Sequence, residues 1–364
     1  MIINIKERLK LYFTGNFRPM NKIGVGLASF GMSGQVFHAP LLSVNPGFKI
    51  ISILERSRNL SRERYPEAKI IRNYNELLKD DSIQLVVVNT PDRFHYSMAR
   101  EALEAGKHVI LEKPFVLDSR EGDELISIAN DRKRLLSVFQ NRRWDGDFLT
   151  VREILDKGLL GRLVEYEAHF DRYRNFIIEN TWKEDPESGT GTIFNLGSHL
   201  IDQAMVLFGK PLHVTADIRI QRTDGKVDDA FTLWLGYPEV KVTIKASYLV
   251  REPGPRYLLH GTEGSFLKHG IDPQEEALKK GDLPGSPGWG TEPEQEWGRL
   301  NTDIGPYNGL YETLPGNYLA YYENIRQALA GKAEPAVTAA QANGVIRVIE
   351  AALESSQSGS RIEP

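Results

Sequence analysis

The first half of this chain alternates short, continuous apolar runs with segments of helical periodicity, and that alternation constrains the fold more than any other feature. The runs lie at 23–28, 48–54, 85–88, 109–111 and 135–139. The clearest helical segment between them spans 94–105, where Met98, Ala102 and Ala105 recur at helical spacing and Gly106 supplies a stop. A strand that is apolar at every position, not every second one, is buried on both faces. The expectation is an α/β fold that begins with a Rossmann-type, doubly wound parallel sheet.

After about Asn141 the texture changes. Residues 240–250 read with period two and one apolar face, and 163–170, 214–220, 230–235 and 257–260 are similar. Helices are expected at 148–157 and 197–208, covering one side of a large, mostly antiparallel open-faced sheet. The other side is then free for a second copy of the chain, as a homodimer or homotetramer. The Gly-, Pro- and charge-rich stretch 268–308 reads as a long loop, and 337–355 as a closing helix that packs back on the first unit. The expected division is an extension over 1–19, a dinucleotide-binding domain over 20–140 and a substrate-binding and oligomerisation domain over 141–364.

Composition narrows the function. The chain has 364 residues, enough for two cores, and no cysteine, which excludes thiol catalysis, disulfides and thiolate metal sites. No metal site is expected, and a reducing, cytoplasmic setting is. The net charge of −4 is spread over well-mixed signs, unlike the basic stripe of a nucleic-acid binder. No run reaches the roughly 18 apolar residues of a membrane span. Residues 1–19 carry Lys6, Glu7, Arg8, Lys10 and Arg18 without an apolar core, which argues against a secretory signal.

Two constellations carry chemistry. The first is Ser29-Phe30-Gly31-Met32-Ser33-Gly34, which follows the first apolar run and opens a helix. It occupies the place of a Gly-x-Gly-x-x-Gly phosphate turn, with serine at the first glycine. About 20 residues on, Glu55 ends the second run, where an acid accepts hydrogen bonds from the adenosine ribose and favours NAD. Arg56 and its neighbours Ser57 and Arg58 instead suit the 2′-phosphate of NADP. The balance leans slightly to NAD.

The second constellation joins Lys113, at the carboxyl end of an apolar run in Glu112-Lys113-Pro114, with Asn195, His199 and Asp202. The last three are spaced four and three apart and share one helix face. An imidazole suits deprotonation of an alcohol, and Asp202 one turn below is placed to orient it.

These residues carry a resemblance. Gly34-Gln35-Val36-Phe37-His38-Ala39-Pro40, Thr90-Pro91 with His95, Glu112-Lys113-Pro114, Asn141-Arg142-Arg143-Trp144-Asp145 and Gly197-Ser198-His199 together resemble the Gfo/Idh/MocA oxidoreductases, most nearly their scyllo-inositol dehydrogenase branch. The resemblance runs from Lys22 to the C-terminus. It implies NAD or NADP as cofactor, with Thr90, Pro91, His95, Glu112 and Lys113 beside it. It also implies a lysine, an aspartate and a histidine at the substrate. Lys113 and His199 match, while Asn195 stands where the family carries the aspartate.

The expected reaction is hydride transfer between a nicotinamide and a secondary alcohol or ketone of a cyclitol or sugar. His199 takes the proton, Lys113 stabilises charge on the same oxygen and Asn195 holds a neighbouring hydroxyl. Arg142, Arg172, Tyr173 and Trp182 are candidates for the substrate wall. The alternatives are a non-catalytic dinucleotide-binding regulator of this fold, a glycosidase using NAD transiently, and a reductase for a different carbonyl.

Overall fold

A computed structural model describes residues 22–179, 181–186 and 189–364; the extension 1–19 lies outside them. The fold is α/β and is built on two sheets. The first has six strands in the order β3-β2-β1-β4-β5-β6, every pair parallel. Its members are β1 (Ile23–Leu27), β2 (Phe48–Leu54), β3 (Lys69–Ile71), β4 (Leu85–Val88), β5 (His108–Leu111) and β6 (Leu136–Val138). All four residues of β4 are fully buried, as a strand covered on both faces requires. The order reverses between β1 and β4, which opens a crevice at their carboxyl ends where α/β sheets hold ligands.

The second sheet has eight strands in the order β14-β13-β12-β11-β7-β10-β9-β8. They are β7 (Leu163–His169), β8 (His213–Arg219), β9 (Ala230–Gly236), β10 (Lys241–Ser247), β11 (Tyr257–Gly261), β12 (Gly264–Lys268), β13 (Gly298–Thr302) and β14 (Asn308–Tyr311). Only the β7–β10 pair is parallel. On β9, Phe231, Leu233 and Leu235 are buried against helices, whereas Trp234 on the opposite face is 43% exposed. The open face carries cross-strand charge pairs, Lys241–Glu165 at 2.7 Å and Lys245–Glu167 at 3.4 Å.

One expectation is corrected here. The stretch 268–308 is not one long loop: it contains the helix Gln274–Lys280 and the strand β13. β13 offers one large apolar residue, Leu300, so its place is set by pairing with β12 and not by its own pattern. The helix Leu319–Leu329 was likewise not anticipated.

The closing helix Ala339–Ser358 opens on a capping box in which Thr338 accepts from the Gln341 N–H. It joins the two sheets. Asn343 donates to the Ser119 carbonyl at 3.0 Å, and Glu350 accepts from the Ser119 N–H at 2.7 Å. Further along, Ser355 Oγ accepts from the Ala216 N–H of β8 at 3.1 Å. A Cβ on Gly122 would stand 2.1 Å from the Asn343 amide, so the close approach of the two helices depends on glycine there.

Candidate active site

The turn after β1 sits at the crevice. Ser29 Oγ accepts from the Gly31 N–H at 3.2 Å, and the Ser29 carbonyl accepts from the Asn89 amide at 3.0 Å, tying the turn to the end of β4. A Cβ on Gly34 would lie 2.7 Å from the Ser29 carbonyl oxygen, so the helix start packs this closely only with glycine. At Gly31 the nearest atom to a Cβ is 3.5 Å away, and both Gly31 and Met32 are exposed, so this backbone is open to a ligand. At the end of β4, the Asn89 Oδ1 and Thr90 Oγ1 atoms are buried with no partner among the described residues. An open phosphate-sized turn beside unsatisfied polar atoms fits a dinucleotide.

Several residues expected to touch that dinucleotide are held in the interior. Glu55 is 5% exposed, and its carboxylate accepts from the Leu60 N–H at 2.8 Å, the Ser61 N–H at 2.9 Å and the Ser61 hydroxyl at 2.6 Å. Burial acts to raise its pKa, yet these hydrogen bonds together hold the carboxyl below its ordinary range. It closes the loop after β2 instead of facing a ribose. Arg56, Ser57 and Arg58 are exposed at the strand end.

His95 is fully buried, with Nδ1 2.8 Å from the Pro114 carbonyl and Nε2 3.0 Å from that of Thr90. It braces the two loops from behind. Glu112 is 9% exposed and contacts His38 Nε2 at 2.9 Å, while His38 Nδ1 lies 2.6 Å from the Tyr322 hydroxyl. Phe30 packs edge-on against Tyr65 with centroids 6.0 Å apart. The side chains of Phe30, Glu55, His95 and Glu112 are thus engaged within the protein, while Ser29, Gly31, Met32, Ser33, Gly34, Thr90 and Pro91 surround the crevice.

The candidate reacting groups come from the two halves of the chain: Lys113 follows β5, and His199 lies on the helix Ser198–Phe208. The Lys113–Pro114 peptide bond is cis. The Glu112 carboxylate accepts from the Lys113 backbone N–H at 3.0 Å, and the ammonium donates to Asn195 Oδ1 and to the Asn195 carbonyl, each at 2.9 Å. Burial pushes Lys113 down to about 8, partly opposed by Glu112 and Asp92.

Asn195 lies in a π-helical turn, Ile193–Gly197, that leads into the helix Ser198–Phe208. Asp228 anchors the start of that turn, accepting from the Thr192 hydroxyl at 2.7 Å and the Ile193 N–H at 2.8 Å. His199 is 5% exposed, and its Nδ1 has no partner among the described residues. Burial, reinforced by Lys113 and Arg142, holds its imidazole well below the ordinary range and hence neutral.

Asp202 does not orient His199. Arg143 grips it with two bonds, Nε to Oδ2 at 2.7 Å and Nη2 to Oδ1 at 2.6 Å, so its charge is matched elsewhere.

The expected substrate wall divides. Arg142, Arg172 and Arg256 all lie over the Phe170 ring, at 4.8, 5.1 and 4.6 Å from its centroid. Arg142 is bound to Asp145 at 3.1 Å and to Glu275 at 2.5 Å. Tyr173 is 48% exposed, with the Arg251 guanidinium over its ring. Trp182 stands on a short turn, Trp182–Glu184, beside Lys183. Sequence reasoning missed His38, Asn89, Asp92, Phe170, Lys183, Asp228 and Glu275. Of these, His38 and Asp92 lie within or beside motifs already singled out.

Among the described residues no group of acidic or histidine side chains is arranged to hold a metal, and no helix is long and apolar enough to cross a membrane. Residues 23–140 match the family described as "Oxidoreductase family, NAD-binding Rossmann fold", and 152–363 match its "C-terminal alpha/beta domain". The chain is 39% identical over 343 residues to the scyllo-inositol 2-dehydrogenase (NADP(+)) IolW of Bacillus subtilis, covering 93% of this chain and 95% of that one. A crystal structure of a Bacteroides fragilis protein superposes with a TM-score of 0.88 at 52% identity, covering 94% of this chain and 100% of that one. An oxidoreductase from Bacillus cereus superposes with a TM-score of 0.87 at 31% identity, over 94% of this chain and 100% of the other.

Proposed function

The chain belongs to the Gfo/Idh/MocA oxidoreductases, and on that premise we propose that it transfers hydride between NADP(H) and a secondary alcohol or ketone carbon of a cyclitol or sugar. One observation carries the reading: the Lys113 ammonium of the parallel sheet meets Asn195, four residues before His199, at 2.9 Å beside an open phosphate turn. The bound dinucleotide supplies the hydride acceptor or donor. Every other task falls to the chain.

Asn195 holds the ammonium by two acceptors and leaves its remaining proton for a substrate oxygen. That N–H stabilises negative charge as it develops there. His199, neutral in its setting, accepts the alcohol proton in the oxidative direction. In the reductive direction the same imidazole returns that proton to the carbonyl oxygen, and the Lys113 ammonium, pushed down to about 8 but still charged at neutral pH, again stabilises the developing charge. The Asn195 amide positions Lys113 instead of fixing a substrate hydroxyl.

The preference for NADP rests on the loop after β2. Glu55 is closed within it, and Arg72 clamps it by donating to the Glu55 carbonyl and, at 2.6 Å, to the Arg58 carbonyl. Arg56 and Arg58 are left exposed at the place of a 2′-phosphate. The relative from B. subtilis is itself named for NADP(+). A panel of inositols, aldoses, sugar acids and sugar phosphates, assayed with both dinucleotides at the nicotinamide absorbance, tests the proposal. Turnover with NADP supports it; no turnover of any polyol or sugar with either cofactor contradicts it.

A further inference from the structure

Several of the groups left free around Lys113 and His199 are cationic. A neutral polyol both donates and accepts hydrogen bonds, so a site built for one sets acceptors beside donors. Here most of the nearby acceptors are already engaged, Asp92 beside Lys113 and Lys183 being the exception. Glu275 is bound by Arg142 and by Lys279 at 2.8 Å, Asp145 by Arg142, and the Asn195 amide oxygen by Lys113.

Three nearby donors are not engaged. Of the three guanidinium groups over Phe170, Arg142 and Arg256 have carboxylate partners, the latter Asp147 at 3.5 Å. Arg172 has neither an ion pair nor a side-chain hydrogen bond among the described residues, and neither do Arg174 and Lys183 on the same segment. The three charges lie close enough to oppose one another. Arg172 is held below its usual range by burial first and then by Arg174. Lys183 is lowered first by burial and, with Asp92 opposing, by Arg174 and Arg172. Arg172, half-buried and without an ion pair, is costly to hold there unless an anion joins it.

We infer that the substrate carries an anionic group, a carboxylate or a phosphate ester, seated against Arg172 and Lys183. This rests on the hydride-transfer reading of the same site and narrows it to sugar acids or sugar phosphates. A guanidinium fork meets either anion with two parallel hydrogen bonds, which a lone hydroxyl does not match.

The test compares a neutral hexose, the matching hexuronate and the hexose 6-phosphate on the full-length protein with NADP(H) present. Binding is followed by heat shift or calorimetry, and turnover by nicotinamide absorbance. One of the two anions is expected to bind about 10- to 100-fold more tightly than the neutral sugar, the range of a charged hydrogen-bonded pair. Arg172→Gln and the more exposed Lys183→Gln should each narrow that ratio while NADP(H) affinity stays at the wild-type value.

Equal or tighter binding of the neutral sugar overturns the inference. So does a loss of NADP(H) affinity in both variants, which would assign the cations to the cofactor. Anion-selective binding without hydride transfer upholds the inference and counts instead against the proposed reaction.

Discussion

At the scale of single residues, the chemistry depends on where Lys113 titrates. Lys113 is pushed down to about 8, so the ammonium that stabilises charge on the reacting oxygen is lost as pH rises through that value. Turnover in both directions is expected to fall above about pH 8. Initial rates in both directions between pH 6 and 10 check the sign. Glu55 offers a second check. Because its carboxylate closes the loop after β2, Glu55→Gln should reduce stability by about 1–2 kcal/mol, as lost caps do, without moving the preference between NAD and NADP. Arg56→Ala with Arg58→Ala should instead weaken NADP by about tenfold or more and leave NAD nearly unchanged. Parallel dinucleotide titrations separate the two outcomes.

At the scale of elements, the helix Ser198–Phe208 delivers His199, and Arg143 holds that helix through Asp202. Both partners are nearly buried, so Arg143→Met leaves a carboxylate stranded and should cost about 3–5 kcal/mol in urea unfolding. This element also shows what a sequence discloses. The fingerprint turn, the lysine before Pro114 and the histidine on its helix were legible because each motif is local: a strand end, a turn and a helix start. The role of Asp202 was not, because its partner Arg143 lies 59 residues away and periodicity places only the neighbours on one face. Glu55 failed for a related reason. An acid at a strand end serves either a ribose or its own loop, and the choice belongs to how 56–61 folds back. The strands of 264–311 escaped because they are defined by pairing in the sheet; β13 alternates buried and exposed positions but carries one large apolar side chain.

At the scale of the whole molecule, the eight-stranded sheet keeps one face open, with exposed Trp234 among the charge pairs of β7 and β10. We propose that a second copy of the chain packs across that face, as a homodimer or homotetramer. Light scattering at micromolar concentration should therefore give a multiple of the 41.1 kDa chain, and Trp234→Glu should shift it towards one chain. The proposed active site is likewise a product of the whole chain, since its ammonium follows a strand of the six-stranded sheet and its imidazole sits on the helix Ser198–Phe208. The most direct test is the rate of nicotinamide oxidation or reduction on the best polyol or sugar acid, measured for the wild type and for Lys113→Met. The account predicts a loss of about 100- to 10,000-fold in turnover with dinucleotide affinity retained. A variant that turns over at the wild-type rate would contradict it.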